Sequence, residues 1–239
     1  MVSDIEKSVF DGLMLSDGYL RKGKNASIHL CVKYRGFADA CILNLPSLPW
    51  SKITPRSVYD KRTLKTYTGW TVDTHVCSWL TEQRYRWYPK GKKIVPQDVI
   101  LDKNSILWWY IGDGHLHKKK SRPNYRQIVL ATNGFLSTEV FWLIEKLKDI
   151  LSDKNVYEEQ NKIIIARTAV TFFARLIGIN SPVPEYVYKF DFGQYLDPDY
   201  FKKSFEKRPI MLINKYRRIY KVRELDFEKV KQELGESHG

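Results

Sequence analysis

Ile106-Leu107-Trp108-Trp109-Tyr110-Ile111-Gly112-Asp113-Gly114 is an apolar run that ends in a small residue and an Asp-Gly pair. It has an earlier counterpart in Phe10-Asp11-Gly12-Leu13-Met14-Leu15-Ser16-Asp17-Gly18. Both continue into an aromatic or histidine and then leucine, Tyr19-Leu20 and His115-Leu116. Taken alone, either run is an apolar helix followed by an ordinary turn, because Asp and Gly both favour turns. Occurring twice, the pattern marks an internal repeat.

The flanking sequence repeats as well. From Ser27 to Lys33, Ile28, Leu30 and Val32 alternate with His29, Cys31 and Lys33; from Arg126 to Thr132, Ile128 and Leu130 lie opposite Gln127 and Val129. Alternation of this length predicts half-buried strands. Each strand leads to a Gly-Phe pair, Gly36-Phe37 and Gly134-Phe135. Thr138 to Leu147 then carries a helical apolar stripe. Leu64 to Val72 and Lys162 to Arg167 are further strand candidates. Each half thus reads helix, strand, strand, helix, with room for more strands. Ser3 and Glu6 form a capping-box pattern, Asp102 or Asn104 caps the second motif helix, and Gly18 and Gly114 stand where glycine ends a helix. Lys90 to Pro96 reads as the junction. The expected division is a first repeat over 1–98, a second over 99–200, and a basic helical extension over 201–239. Trp108, Trp109, Trp142, Phe172 and Phe173 read as core, and Cys31, Cys41 and Cys77 as small, reduced core residues.

The composition points to a polyanion. The 239 residues hold 40 Lys and Arg against 27 Asp and Glu, a net charge of +13. Such an excess favours nucleic acid, because phosphate contacts release counterions. It separates neither DNA from RNA nor binding from cutting. No apolar run is long enough to cross a membrane. The first residues show no basic stretch followed by an apolar one, so a signal peptide is not expected and the setting is expected to be intracellular, in an organelle or a prokaryotic cytoplasm. His115 and His117 lack a cysteine pair, which speaks against zinc.

An Asp at the carbonyl end of a helix faces the negative end of the helix dipole. If the two motif helices pack side by side, Asp17 and Asp113 converge, and their repulsion favours a cation between them. Hard oxygen ligands suit Mg²⁺. Ser16 and Gly112 are small enough for close approach, and their carbonyls are candidate further ligands. Carboxylates sharing divalent ions can activate water and neutralise the leaving oxygen in phosphodiester cleavage.

With the stretches Leu107–Gly114, Ile128–Phe135, Pro184-Glu185-Tyr186-Val187-Tyr188-Lys189-Phe190 and Lys92-Lys93-Ile94-Val95-Pro96, the chain resembles the LAGLIDADG homing endonucleases. It resembles the single-chain form with two motifs, in a subgroup that includes the yeast mitochondrial intron endonuclease type. The resemblance covers about residues 5 to 195 and is strongest near the second motif. It implies an α+β fold of two pseudo-symmetric repeats. Each repeat would bear a curved antiparallel sheet, the sheets forming a saddle over the DNA major groove and the motif helices meeting at the centre. It implies a site-specific endonuclease acting as a monomer on double-stranded DNA. The family cuts both strands across the minor groove and leaves short 3′ overhangs. Asp17 and Asp113 match the metal-binding acids, Lys93 and Lys189 the basic residues beside the site. Asn133 falls where the family often has a water-ordering glutamine, with Arg35 as its counterpart. The implied cofactor is Mg²⁺ or Mn²⁺, with Ca²⁺ as a non-catalytic substitute. Charged Asp11 and bulky Leu107 and Trp108 depart from the family's small-residue pattern, and neither end shows a splice-junction pattern of an intein.

Candidate DNA contacts are Arg21, Lys22 and Lys24 in one repeat, with Lys118, Lys119, Lys120 and Arg122 as a strand-connecting loop in the other. His29, Lys33, Lys65, Tyr67, Arg126 and Gln127 are strand residues placed to reach base edges, and Arg and Gln have the donor geometry for bidentate contacts. Lys202, Lys203, Lys207, Arg208, Lys215, Arg217 and Arg218 are expected on the backbone. By residue type alone, Lys93 and Lys189 are ordinary exposed lysines. Two alternatives stay open: an RNA-splicing maturase on the same scaffold that binds intron RNA, and a non-cleaving DNA-binding regulator.

Overall fold

The computed structural model describes residues 1–119, 122–151 and 155–192, with the side chains of 119 and 122–125 set aside. Lys120 and the basic stretch from 201 onward, with its seven candidate cations, lie outside the described residues.

The chain begins with helix α1, Asp4–Leu15, launched by Ser3. The Ser3 hydroxyl accepts the Glu6 amide at 3.3 Å and the Glu6 carboxylate accepts the Ser3 amide at 2.9 Å, so the expected capping box forms. Strands β1 (Tyr19–Arg21) and β2 (Ser27–Val32), helix α2 (Arg35–Asn44), strands β3 (Thr54–Asp60) and β4 (Lys65–Asp73) and helix α3 (Ser78–Trp87) follow. A connecting strap then leads to helix α4, Lys103–Asp113, capped by Asp102 and not by Asn104. Asp102 accepts the amides of Asn104 and Ser105 at 2.8 and 3.0 Å. The second half repeats the plan with β5 (Gly114–Lys119), β6 (Arg122–Ala131), α5 (Ser137–Leu151), β7 (Val156–Glu159), β8 (Lys162–Ile165) and α6 (Val170–Ile177), and a 3-10 segment spans Pro184–Phe190. Each half is longer than the expected helix, strand, strand, helix. The expected loop at Lys118–Arg122 is largely strand, since β5 runs through Lys119 and β6 starts at Arg122.

Two four-stranded antiparallel sheets result, in the matching orders β1-β2-β4-β3 and β5-β6-β8-β7. In the first, Leu20, Ile28, Leu30, Val32 and Val72 fill one face, as the alternation of β2 required. In the second, Leu116, Ile128, Leu130, Ile163 and Ile165 do the same. There β6 is not half-buried as expected: Gln127 and Val129 are buried on the opposite face as well. Val129 lies directly across from Ile164, so an apolar cross-strand pair covers that face. Of the residues read as core, Trp108, Trp109 and Phe173 are fully buried, Trp142 is half-buried, and Phe172 is exposed on α6. Only Cys41 is a core cysteine; Cys77 is half-buried and Cys31 is exposed on the sheet.

Helices α1 and α4 pack against each other along a seam of small residues. Gly12 meets the Ser105 backbone so closely that an added Cβ would collide with it, and one at Gly112 would strike the Ser16 side chain. The Ser8 hydroxyl bonds the Asp102 carboxylate and accepts the Ser105 amide at 3.1 Å. Ser8, Gly12 and Ser16 recur every four residues, one stripe of an α-helix. Contacts advance together along both helices, so they run parallel and their carbonyl ends converge. Bulky Trp108 turns off the seam to meet Phe37 edge to face at 5.8 Å. Gly18 and Gly114 do not end their helices in the left-handed conformation. The α1 cap is Ser16, and Gly114 caps α4 with φ −94°. Each is glycine for want of space, since a Cβ would meet Leu13 O at Gly18 and the Tyr110 ring at Gly114.

Candidate active site and nucleic-acid interface

The parallel seam delivers Asp17 and Asp113 to the same end of the helix pair. A Cβ placed on Gly112 would stand 3.4 Å from Asp17 Oδ2, so the first carboxylate reaches the residue preceding the second. Desolvation by the surrounding groups raises Asp17, which still reaches solvent, and pushes half-buried Asp113 up to about 6 with the Asp17 charge adding to the effect. Lys93 and Lys189 pull both acids the other way.

Neither lysine is an ordinary surface lysine. Lys93 Nζ donates to Ser16 O at 3.2 Å and Gly18 O at 2.9 Å. Lys189 Nζ donates to Ile111 O at 2.5 Å and Gly112 O at 3.2 Å. Each ammonium therefore takes up carbonyls at the end of its own half's motif helix, where the dipole is negative. Desolvation brings both lysines down to about 8 against the opposing pull of the two aspartates. Lys189 is 7% exposed, so it holds its charge among two carbonyls and two carboxylates, out of bulk water.

The donor set suits a hard divalent cation: two carboxylates whose burial disfavours bare charge, beside the carbonyls of Ser16 and Gly112. Those two carbonyls already accept from the lysines, which leaves one lone pair each. Among the described residues no group of three His, Cys, Asp or Glu stands together to hold a metal. A cation here would draw its other ligands from water or from a phosphate.

The outward face of the first sheet carries Arg21, His29, Lys65 and Tyr67, half of the first-half contact candidates. Register places Tyr19, His29 and Asp73 side by side, with Arg21, Cys31, Thr71, Tyr67, Lys65, Thr54 and Arg56 on the same face. His29 Nδ1 lies 2.6 Å from Asp73 Oδ1 and 2.7 Å from Arg21 Nη2. Its Nε2 lies 3.0 Å from Cys31 Sγ, which also bonds Arg56. Arg56 was missed because β3 is exposed along nearly its whole length and shows no alternation. Lys33 is exposed just past β2, with Nζ 4.8 Å from the Tyr34 ring. Lys22 and Lys24 are exposed in the β1–β2 loop. Arg35 opens α2, paired with Asp39 at 3.4 Å and beside the Trp70 ring.

In the second sheet the adjacent residues Arg126 and Gln127 necessarily point to opposite faces. Gln127 shares its face with His115 and His117, which sequence reading did not select. Arg126 shares the core-side face with Lys118, whose Nζ pairs with Asp191 at 2.6 Å. Asn133 is exposed in the turn before α5, and the Arg122 side chain lies outside what is described.

Residues 7–171 match the model of the LAGLIDADG DNA endonuclease family. A probable intron-encoded endonuclease of Wickerhamomyces canadensis is 24% identical over 155 residues, covering 61% of this chain and 65% of that protein. An uncharacterized protein of Methanocaldococcus jannaschii is 42% identical over 65 residues, covering 27% of this chain and 24% of that protein. The chain thus spans less than two thirds of either relative. The homing endonuclease I-WcaI, solved bound to its DNA recognition sequence, superposes with a TM-score of 0.70 at 21% identity, over 79% of this chain and 86% of that one. That likeness shows a shared fold.

Proposed function

Because the chain belongs to the LAGLIDADG DNA endonuclease family, we propose that it is a site-specific endonuclease that breaks both strands of a long duplex DNA target, as a monomer and with a divalent cation. One observation carries the reading. Two carboxylates and two ammonium groups, one of each per repeat, meet at the carbonyl ends of the paired helices α1 and α4, with Lys189 buried, Asp113 and Lys93 half-buried and Asp17 open to solvent. A protein that only grips DNA has no use for paired acids where a phosphate would lie.

Asp17 and Asp113 would hold the cation, Mg²⁺ or Mn²⁺, with Ser16 and Gly112 carbonyls beside it. When bound, it supplies an activated water and neutralises charge on the leaving oxygen. The remaining work falls to the chain. Lys93 Nζ and Lys189 Nζ, each held on carbonyls at the end of its own motif helix, would hold a proton against the scissile phosphate. The outward face of the first sheet, with Arg21, His29, Tyr67 and Lys65, offers donors to base edges, and Gln127 does so in the second. Lys22, Lys24 and Lys33 face phosphates, as would Lys120 and Arg122. Two non-identical repeats read two non-identical half-sites, which gives a long asymmetric target.

The test is cleavage of a randomised duplex library with Mg²⁺ or with chelator, followed by sequencing of the ends. Asp17→Asn and Asp113→Asn run in parallel. Metal-dependent ends at one long site, lost in both variants, are expected. Tight duplex binding without any cut would overturn the nuclease reading, and preference for structured RNA over duplex would replace DNA with RNA as the partner.

A further inference from the structure

The two lysines close their own repeats in matching positions and bond their own motif helices, yet the segment that carries each is anchored on the other repeat. Lys93 lies in the strap after α3. The next amide, Ile94, donates to Trp87 O at 2.9 Å within the first half. The one after it, Val95, crosses over and donates to Glu139 Oε1 at 2.9 Å, on α5 of the second half. Glu139 Oε2 meanwhile accepts the Leu136 amide at 2.7 Å, which fixes the carboxylate at the start of its helix. The Phe135 ring of the same turn lies 5.9 Å from Lys93 Nζ.

The mirror arrangement exists at Lys189. Glu185, in the same 3-10 segment, accepts the Gly36 amide at 3.4 Å at the start of α2 in the first half. Gly36 carries no Cβ, and one added there would collide with that carboxylate. Tyr186 packs edge to face on Tyr34 and Phe37 at 5.6 and 6.0 Å. So the turn after the second strand of each repeat serves as the seat for the lysine segment of the other.

Resting on the functional reading above, we infer that Glu139 and Glu185 are positioning residues that exchange support between the repeats: Glu139 places Lys93 and Glu185 places Lys189. The exchange makes each cutting centre complete only when the opposite repeat is docked, which links cleavage of the two strands to one assembled state. The two links are unequal. Glu139 is half-buried and its bond is short, whereas Glu185 is exposed and its bond is long. The Lys93 centre is therefore the more dependent on its crossing contact.

The test uses the full chain and a supercoiled plasmid carrying the site recovered from the library, with the two strands' breaks counted separately. Lys93→Met and Lys189→Met first establish which strand depends on which lysine. Glu139→Ala is expected to slow the Lys93-dependent strand about 10- to 100-fold, as small misplacements of a reacting group do, while the other strand changes about two-fold or less. Nicked circles accumulate, duplex affinity is kept, and Glu139→Gln, whose single oxygen can accept the Val95 amide but not the Leu136 amide as well, recovers part of the lost cut. Glu185→Ala gives a smaller bias toward the opposite nick, and it carries the test alone should Glu139→Ala fail to fold, since its contact is exposed. Equal slowing of both strands, or no change, overturns the inference and leaves the nuclease reading standing. Failure of Lys93→Met to favour one strand would instead overturn the lysine assignment, and the inference with it.

Discussion

Asp11 is a carboxylate with 1% exposure among the apolar and small residues of the second half of α1, and its cost is offset by one cation and one backbone amide. Arg86 donates to it through both terminal nitrogens, at 2.6 and 2.9 Å, and the Ile100 amide adds a third bond at 2.8 Å. The Arg86 Nε turns to Asp98 in the strap, at 2.8 Å, but Asp98 is largely solvated and contributes little. Breaking a buried pair from one side leaves a bare charge, so Arg86→Met is expected to lower the unfolding free energy by about 3 kcal/mol, measured in urea. Adding Asp11→Leu to that variant removes the stranded charge and should return most of the loss; a double variant no more stable than the single one would show that Asp11 is solvated after all. Sequence could not show this. Asp11 read as a departure from the motif because its partner lies far along the chain on α3. Asp17 and Asp113 were legible because they repeat, whereas Glu139 and Glu185 were not, because each acts on a backbone amide and leaves no side-chain pattern.

At the scale of elements, the α1–α4 seam decides where the acids end up, and its two glycines differ in what opposes them. A Cβ at Gly12 meets Ser105 backbone, which cannot step aside without moving a helix. A Cβ at Gly112 meets the Ser16 side chain, which can rotate, and then the Asp17 carboxylate. Gly12→Ala should therefore cost about 1–3 kcal/mol of stability through overpacking. Gly112→Ala should keep more of its thermal stability than Gly12→Ala and yet lose more cleavage per folded molecule. Melting temperatures and strand-cutting rates for the pair decide it, and the reverse order would mean that the helices part at their carbonyl ends. The seam was half legible: Ser16 and Gly112 stand next to the acids, but Ser8, Gly12 and Ser105 carry no signal unless α1 is already known to face α4. Strands show the same divide. β2 alternates because one of its faces is core, and it was read correctly. β1 spans only three residues, and β3 is exposed along nearly its whole length, so neither imposes a hydrophobic period.

Over the whole molecule, a net charge of +13 coexists with two acids at the centre of the proposed DNA-facing surface. The repeat was legible because each half must bury its own sheet face, and that requirement writes the same apolar spacing twice. How the halves hold each other was not, since those contacts are single backbone bonds between distant segments. The opposed charges make a prediction that separates binding from cutting. Without divalent ions, Asp17 and Asp113 repel the phosphates that the surrounding lysines attract. The doubly neutralised variant Asp17→Asn/Asp113→Asn should then bind its duplex more tightly than the unaltered chain in chelator, while cutting nothing when Mg²⁺ is supplied. Adding Mg²⁺ should tighten the unaltered chain and leave the variant nearly unmoved. Each phosphate contact contributes about 0.9 to the slope of log affinity against log salt on duplex DNA, so Lys65→Ala should flatten that slope by about one contact if Lys65 faces a phosphate. If it reads a base edge instead, Lys65→Ala should relax sequence preference at one position and leave the slope largely intact. Weaker binding by the Asn variant in chelator would show that the two carboxylates act through Lys93 and Lys189, holding the ammonium groups for the phosphate, more than they repel it.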